Sequence, residues 1–236
     1  MSFEKSKLFG WPVLDLPMKR RRKLHLWIKK FVDETIALLL LLILSPLIGA
    51  IALLVWATMG RPLLFRQTRS GLCGRPFQII KCRTMTDKQN SSGRALPDAI
   101  RLTAVGRFLR ATSLDELPEL WNVVRGEMSL VGPRPLMAQY LERYSPEQAR
   151  RHDVMPGITG WAQINGRNDL SWEDKFALDV WYVDNWGLAL DFRILVKTFW
   201  QVLKREGISR SGHATAPEFM GNSPLDQSER PRNVNR

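Results

Sequence analysis

Two acids stand side by side in the stretch ATSLDELPEL, Asp115 and Glu116. Paired carboxylates can trade a proton, share a divalent cation, or supply a nucleophile and its helper. They can also be architecture. Ser113-x-x-Glu116 matches a capping box, and acids in a first helical turn are favoured by the helix dipole. Pro118 suits a first turn but lies one position late if Ser113 is the cap; a helix starting at Asp115 is the alternative. The surroundings favour chemistry. Arg107 and Arg110 precede the pair at helical spacing, and Arg134 follows inside GPRP, a rigid turn that fixes where its guanidinium points. Arginines near a helix N-terminus make a phosphate site. A carboxylate inside such a site repels its ligand unless a divalent cation bridges them or the carboxylate itself attacks phosphorus. Charge alone leaves both roles open.

The chain that must position these groups has 236 residues, enough for one domain with a sizeable core. Apolar residues make up 44%, which excludes wholesale disorder. Thirty-five Lys and Arg against 23 Asp and Glu give a formal charge of +12 and imply an anionic partner: nucleic acid, anionic lipid or a phosphorylated small molecule. Cys73 and Cys82 lack a metal-ligand pattern and fit a reduced cytosolic setting.

Residues 36 to 59, IALLLLLILSPLIGAIALLVWATM, carry no charge. The run is long enough to cross ~30 Å of hydrocarbon and starts too deep in the chain for a cleavable signal. Ser45-Pro46 interrupts it, and proline removes a backbone donor, so a kink or break is expected. Both flanks are basic: MKRRRKLHLWIKK before, and Arg61, Arg66, Arg69, Arg75, Lys81 and Arg83 after. If both obey the positive-inside rule, the segment enters and leaves on one face. On these features a spanning helix and a re-entrant helix-break-helix both stand.

Downstream, Leu63 to Thr68 and Phe77 to Cys82 read as two strands around a turn at Gly71 and Gly74. The polar stretch 87–100 reads as a loop. A helix is expected near Thr103 to Leu109 and another over Leu136 to Tyr144. MPGITGWAQINGRN reads as a shaped loop, because glycine and proline forbid a regular helix. Ser171 should cap an amphipathic helix, and Asp191 should start a second, with Phe192, Leu195, Val196, Phe199, Val202 and Leu203 on one side. Core packing explains these faces; seating at the bilayer surface, with Trp181, Trp186, Trp200 and Lys197 at headgroup level, is the sharper alternative.

The blocks LFRQTRSG, FQIIKCRTM, RLTAVGRFLRATSLDELPELWNVVRGEMSLVGPRPLM and MPGITGWAQINGRN, in that order, resemble the bacterial sugar transferase family. These are the small monotopic phosphoglycosyl transferases that start glycan assembly on a lipid carrier. The resemblance covers nearly the whole chain; only Cys82 departs, standing where a bulkier residue is expected. It implies transfer of a sugar 1-phosphate from a UDP-sugar to polyprenyl (undecaprenyl) phosphate with release of UMP, on the cytoplasmic face of the bacterial inner membrane. It implies that Asp115 attacks the β-phosphorus and carries the phosphosugar, that Mg²⁺ sits at Asp115 and Glu116, and that Glu116 binds metal or deprotonates the lipid phosphate. Arg110 and Arg134 are then expected at phosphates, and Lys81 and Arg83 are candidates to face the site. Gln163 and Arg167 are candidates for nucleotide or sugar contacts, with loop-stabilising hydrogen bonds as the ordinary alternative. The family's membrane segment is re-entrant, broken at a pair like Ser45-Pro46. The ending REGISR…GHAT resembles members that use modified N-acetylated sugars.

The expected architecture is therefore α+β and helix-rich. It comprises a flexible N-terminus (1–18), a basic flank and re-entrant membrane helix (19–60), a small cytosolic catalytic domain with a short β-hairpin and interfacial amphipathic helices (61–221), and a disordered tail (222–236). Two rivals remain. A membrane-tethered basic module could bind nucleic acid or anionic lipid, although no nucleic-acid motif appears. A one-step transferase would form no covalent intermediate.

Overall fold

The protein is described by a computed structural model covering residues 20–166, 170–204 and 218–221. A single helix, α1 (Arg20–Met59), carries the apolar run and continues through Pro46. The expected break in helical structure is therefore absent, and the reason is local. Pro46 has no N–H for the carbonyl of Leu42, and the Ser45 hydroxyl donates to that carbonyl instead, at 2.8 Å.

Strands β1 (Leu64–Ser70) and β2 (Pro76–Cys82) form the expected antiparallel hairpin, with Leu64 opposite Cys82. Helix α2 (Asp98–Arg101) is a single turn closing the polar loop. Helix α3 (Ala104–Ala111) is capped by Thr103, whose hydroxyl accepts from the Gly106 amide at 2.9 Å. After α4 (Glu119–Val124), β3 (Ser129–Val131) pairs in parallel with β4 (Gly157–Thr159), an element too short to read in the sequence. Between them lie 3-10 turns over Ala138–Arg143, where a longer helix was expected, and the one-turn α5 (Pro146–Ala149). The chain continues as α6 (Trp161–Ile164), α7 (Trp172–Asn185) and α8 (Leu188–Lys204). Ser171 caps α7 as expected, accepting from the Asp174 amide at 3.1 Å.

The main core joins Ala37 of α1 to Ile79, Leu120, Val123, Val131, Tyr182, Val183 and Ile194. A second cluster joins Ile51 and Val55 of α1 to Cys82 and Leu109. Both halves of α1, on either side of Pro46, thus rest on the same globular body. A buried polar group reinforces the first contact. Lys29 pairs with Asp33 at 3.1 Å and Asp191 at 2.6 Å, and the Tyr182 hydroxyl lies 2.6 Å from Asp191. The opposite side of α1 leaves Leu38, Leu42, Ile43, Leu53 and Trp56 exposed. On α8, Ile194 is buried while Phe192, Val196, Phe199, Trp200 and Leu203 are exposed. The α8 stripe read from the sequence therefore mostly faces outward; Leu195 packs on the core and Val202 is half-buried.

Phe219 plugs a third cluster. It is buried among Phe176, Trp172, Tyr140 and Tyr144, at ring-centroid separations of 4.9, 5.6, 5.7 and 5.8 Å. Arg143 bonds both the Phe219 carbonyl and Glu218, the latter at 2.9 Å. Phe219→Ala is expected to cost about 3 kcal/mol in chemical denaturation; a change under about 0.5 kcal/mol, typical of surface positions, would show that the plug adds nothing.

Candidate active site

Asp115 and Glu116 lie on one 3-10 turn, Leu114–Glu116. Ser113 before it has φ 55° and ψ 17°, the left-handed region, and its side chain makes no capping bond. The capping-box reading is thus corrected: Ser113 turns the chain, and α4 begins after Pro118, which fills the cap position. A left-handed residue with a Cβ costs about 1–3 kcal/mol and persists where surrounding contacts hold it. Here the Ser113 amide donates to Arg110 O and its carbonyl accepts from the Glu116 amide, each at 3.2 Å. The tight turn is what brings Arg110 and both acids to one place.

Three further elements supply cations. Lys81 comes from β2, Arg110 from α3 and Arg134 from the GPRP turn. Lys81 Nζ donates to Glu116 Oε1 at 2.6 Å, and Arg134 Nη2 donates to the same oxygen. Burial opposes the Glu116 charge, but Arg134 and Lys81 outweigh it and hold this carboxyl far below the usual range. Asp115 is different. Burial and the Glu116 charge push it above its ordinary value, and Lys81, Arg110 and Arg134 pull it back only in part. Two adjacent carboxylates are thereby separated in character, one locked as an ion pair and one buried, more basic and surrounded by positive charge. Such a pair can supply an acid–base group or a nucleophile beside a charge-holding partner. Asp115 is only 7% exposed, whereas the Arg134 side chain is 41% exposed, so the cluster opens to solvent on the Arg134 side.

Sequence reasoning missed Glu119. It is fully buried, and its Oε1 lies 3.0 Å from Lys81 Nζ without hydrogen-bond alignment. Burial pushes its carboxyl up to about 7, against the pull of Lys81. The signal was available, since Glu119 stands three residues after Glu116 and four after Asp115, on the same side of a nascent helix.

The supports are also specific. Arg110 Nε donates to Thr84 Oγ1 at 3.1 Å. Gly106 permits this approach, because a Cβ there would lie 1.9 Å from the Thr84 carbonyl oxygen. Behind the GPRP turn, Arg151 Nη2 donates to the Arg134 carbonyl at 2.7 Å and to Asp179 at 2.7 Å, with Tyr144 completing the set. Gly132 and Gly157 let the two loops cross backbone to backbone: a Cβ on Gly157 would sit 2.0 Å from Gly132 N. The glycines of VGPRP and MPGITG are therefore spacing devices that hold Arg134 in place.

Not every candidate joins the cluster. The Arg83 guanidinium is spent on the carbonyls of Met85 and Arg61, at 2.9 and 3.0 Å, and on Asp87 at 2.6 Å. It ties down the end of α1. Gln163 lies on α6, its amide buried without a partner against Gly160 and not bonded to the acids. Arg167 lies outside the described residues. Ser45 and Pro46 are in the membrane-length helix. Among the described residues no group of three or more His, Cys, Asp or Glu is arranged to hold a metal.

The bacterial sugar transferase family matches residues 24–205 of this chain. The chain belongs to that family. "Uncharacterized sugar transferase EpsL" of Bacillus subtilis (strain 168) is 53% identical over 198 residues, covering 84% of this chain and 98% of the relative. "UDP-glucose:undecaprenyl-phosphate glucose-1-phosphate transferase" of Escherichia coli (strain K12) is 40% identical over 197 residues, covering 79% of this chain and 42% of the relative. The enzyme of the same name from Caulobacter vibrioides is 42% identical over 180 residues, covering 72% and 67%. This chain thus matches almost all of one family member and less than half of the Escherichia coli one. The family match runs from the fifth residue of α1 through the hairpin and the acid turn to the end of α8.

Proposed function

We propose that this chain transfers a sugar 1-phosphate from a UDP-sugar to polyprenyl phosphate at the cytoplasmic membrane face, in two steps through Asp115. In the first, an Asp115 carboxylate oxygen bonds to the β-phosphorus, the bond from that phosphorus to the oxygen bridging to the α-phosphate breaks, and UMP leaves with that oxygen. In the second, an oxygen of the lipid phosphate bonds to the same phosphorus and the P–O bond of the Asp115 acyl phosphate breaks, restoring the carboxylate and giving the polyprenyl diphosphate sugar. UMP can leave before the lipid phosphate enters, so the two anions need not share the pocket. Names of the relatives support donor and acceptor. The observation that supports the mechanism is the buried Asp115 carboxyl, beside Glu116 on a tight turn and among Lys81, Arg110 and Arg134.

Arg110 and Arg134 are assigned to phosphate oxygens, with Arg134 leaving Glu116 for the donor. Lys81, with Glu119 beneath it, stays behind to neutralise Glu116. Two carboxylates without a third ligand suit Mg²⁺, which keeps waters and takes substrate phosphates, better than a cage-bound ion. Held by Asp115 and Glu116, Mg²⁺ would neutralise charge developing on the phosphates.

The membrane disposition we propose is re-entrant. A helix crossing the bilayer carries its far end ~30 Å away. Here Ala37 before Pro46 and Val55 after it both pack on one body that also holds buried ion pairs. The exposed stripe of α8 is assigned to the interface. At the site, Lys81 and Arg134 bond carboxylates, which favours the transferase reading over the basic tether.

The test is purified full chain with polyprenyl phosphate, Mg²⁺ and a panel of UDP-sugars. UMP formed from at least one donor, over many turnovers with excess polyprenyl phosphate and at no more than one per enzyme without it, supports the reading; no nucleotide monophosphate from any donor contradicts it.

A further inference from the structure

Structural arginines in this protein spend their donors on carbonyls and carboxylates. Arg83 bonds Met85, Arg61 and Asp87; Arg151 bonds Arg134 O and Asp179. Arg69 does not. Its Nη2 donates to the neutral Gln67 amide at 2.6 Å, its Nε is buried without a partner, and it forms no ion pair among the described residues. It is nonetheless held beside the acid cluster. Arg69 bridges backbone to backbone with Met137, just past the GPRP turn, and the neighbouring Ser70 amide donates to Leu136 O at 3.0 Å. Burial and the nearby Arg134 charge both depress its basicity. Glu119, Tyr140 and Tyr144 oppose this only in part, so Arg69 feels the repulsion of Arg134, and of the two guanidinium groups only Arg134 bonds a carboxylate. Such repulsion is relieved when an oxyanion takes a place between them, and a phosphate can accept from both forks.

We propose that Arg69 is a phosphate-binding residue of this site, clamping with Arg134 a phosphate of the nucleotide donor or of the lipid acceptor. The inference rests on the phosphosugar-transfer reading. It adds a cation from the hairpin to those of the catalytic turn. It also gives the LFRQTRSG block a chemical role: Gln67 orients the guanidinium and leaves its remaining donors for the ligand.

The experiment uses the full chain in detergent with Arg69→Gln and Arg69→Lys. UDP affinity is measured by calorimetry, and KM is measured separately for the UDP-sugar and for polyprenyl phosphate. Arg69→Gln is expected to weaken one phosphate ligand about tenfold or more with the melting temperature unchanged, and Arg69→Lys to recover part of that loss because it keeps the charge without the fork. A fall in UDP affinity with a raised donor KM assigns the clamp to the nucleotide; a raised KM for polyprenyl phosphate alone assigns it to the lipid. Wild-type affinity for UDP and wild-type KM for both substrates in Arg69→Gln overturn the proposal, as does a fall in kcat alone. If Arg69→Gln melts early, the same comparison in Arg69→Lys decides. Failure of the underlying reading looks different: wild type itself then neither binds UDP nor releases UMP.

Discussion

Asp115→Asn leaves a folded, membrane-bound protein whose turnover falls by about four orders of magnitude, the scale on which loss of a member of a catalytic set is felt. The amide keeps the shape and removes the nucleophile. Stability should not fall. The folded-state pKa of Asp115 is raised by burial, so the folded protein binds its proton more tightly than the unfolded chain does. Any stability from this group is therefore present at low pH and lost as pH rises through the folded pKa. At neutral pH the ionised carboxylate is a cost that Asn removes, and the melting temperature of the variant should equal or exceed that of wild type. The same shift sets a pH limb. Attack needs the ionised form, so kcat/KM should fall with acid at a midpoint above the ~3.9 of an ordinary aspartate. A variant that melts lower and keeps appreciable turnover would mean that Asp115 is structural.

Lys81→Met has the second large effect, on both folding and activity. The ammonium serves two buried carboxylates, Glu116 at 2.6 Å and Glu119 at 3.0 Å. Removing one partner of a buried pair costs about 3–5 kcal/mol, because the remaining charge has lost its compensation. Glu116 keeps Arg134. Glu119 has no second cation bonded to it, and its carboxyl already stands near 7. In the variant it takes up a proton, and the penalty should grow as pH rises through its folded pKa, the direction expected of a raised carboxyl. Adding Glu119→Gln should therefore recover much of the lost stability at pH 8 and little at pH 5. Recovery of stability without turnover would show that Lys81 acts on the reaction and not only on the fold. Equal destabilisation by Lys81→Met in both backgrounds would disprove the coupling.

What the sequence made legible follows from how local each signal is. The hairpin and the Ser171 cap are local patterns and appear as read; the α8 stripe also forms, but most of it faces outward, so core packing does not explain it. The Asp115–Glu116 pair was legible as chemistry only through the arginines around it, because the S-x-x-E pattern argued for a cap that does not form. Nothing in the sequence marks Ser113 as left-handed; the packed loops around it impose that. Lys81 and Arg83 looked equivalent, being two residues apart in one block. The strand ends at Cys82, so the alternation that would give both the same face stops between them, and Arg83 turns to the end of α1. Nothing in the sequence pattern shows that α1 continues through Pro46, where the Ser45 hydroxyl takes the Leu42 carbonyl. Glu119 was legible from its spacing to Asp115 and Glu116 but was overlooked; the Arg151–Asp179 pair was hidden because its members lie far apart in the chain, and β3 with β4 because three residues carry no period.

Two-step transfer requires that Asp115 become joined to the donor's sugar phosphate as an acyl phosphate. The direct measurement is intact-protein mass spectrometry of wild type saturated with its UDP-sugar, without lipid phosphate, after rapid acid quench. The account predicts a mass increase of one sugar phosphate, located on the peptide containing Asp115, absent in Asp115→Asn and discharged by added polyprenyl phosphate. Normal catalysis by a protein that never acquires that mass would contradict it.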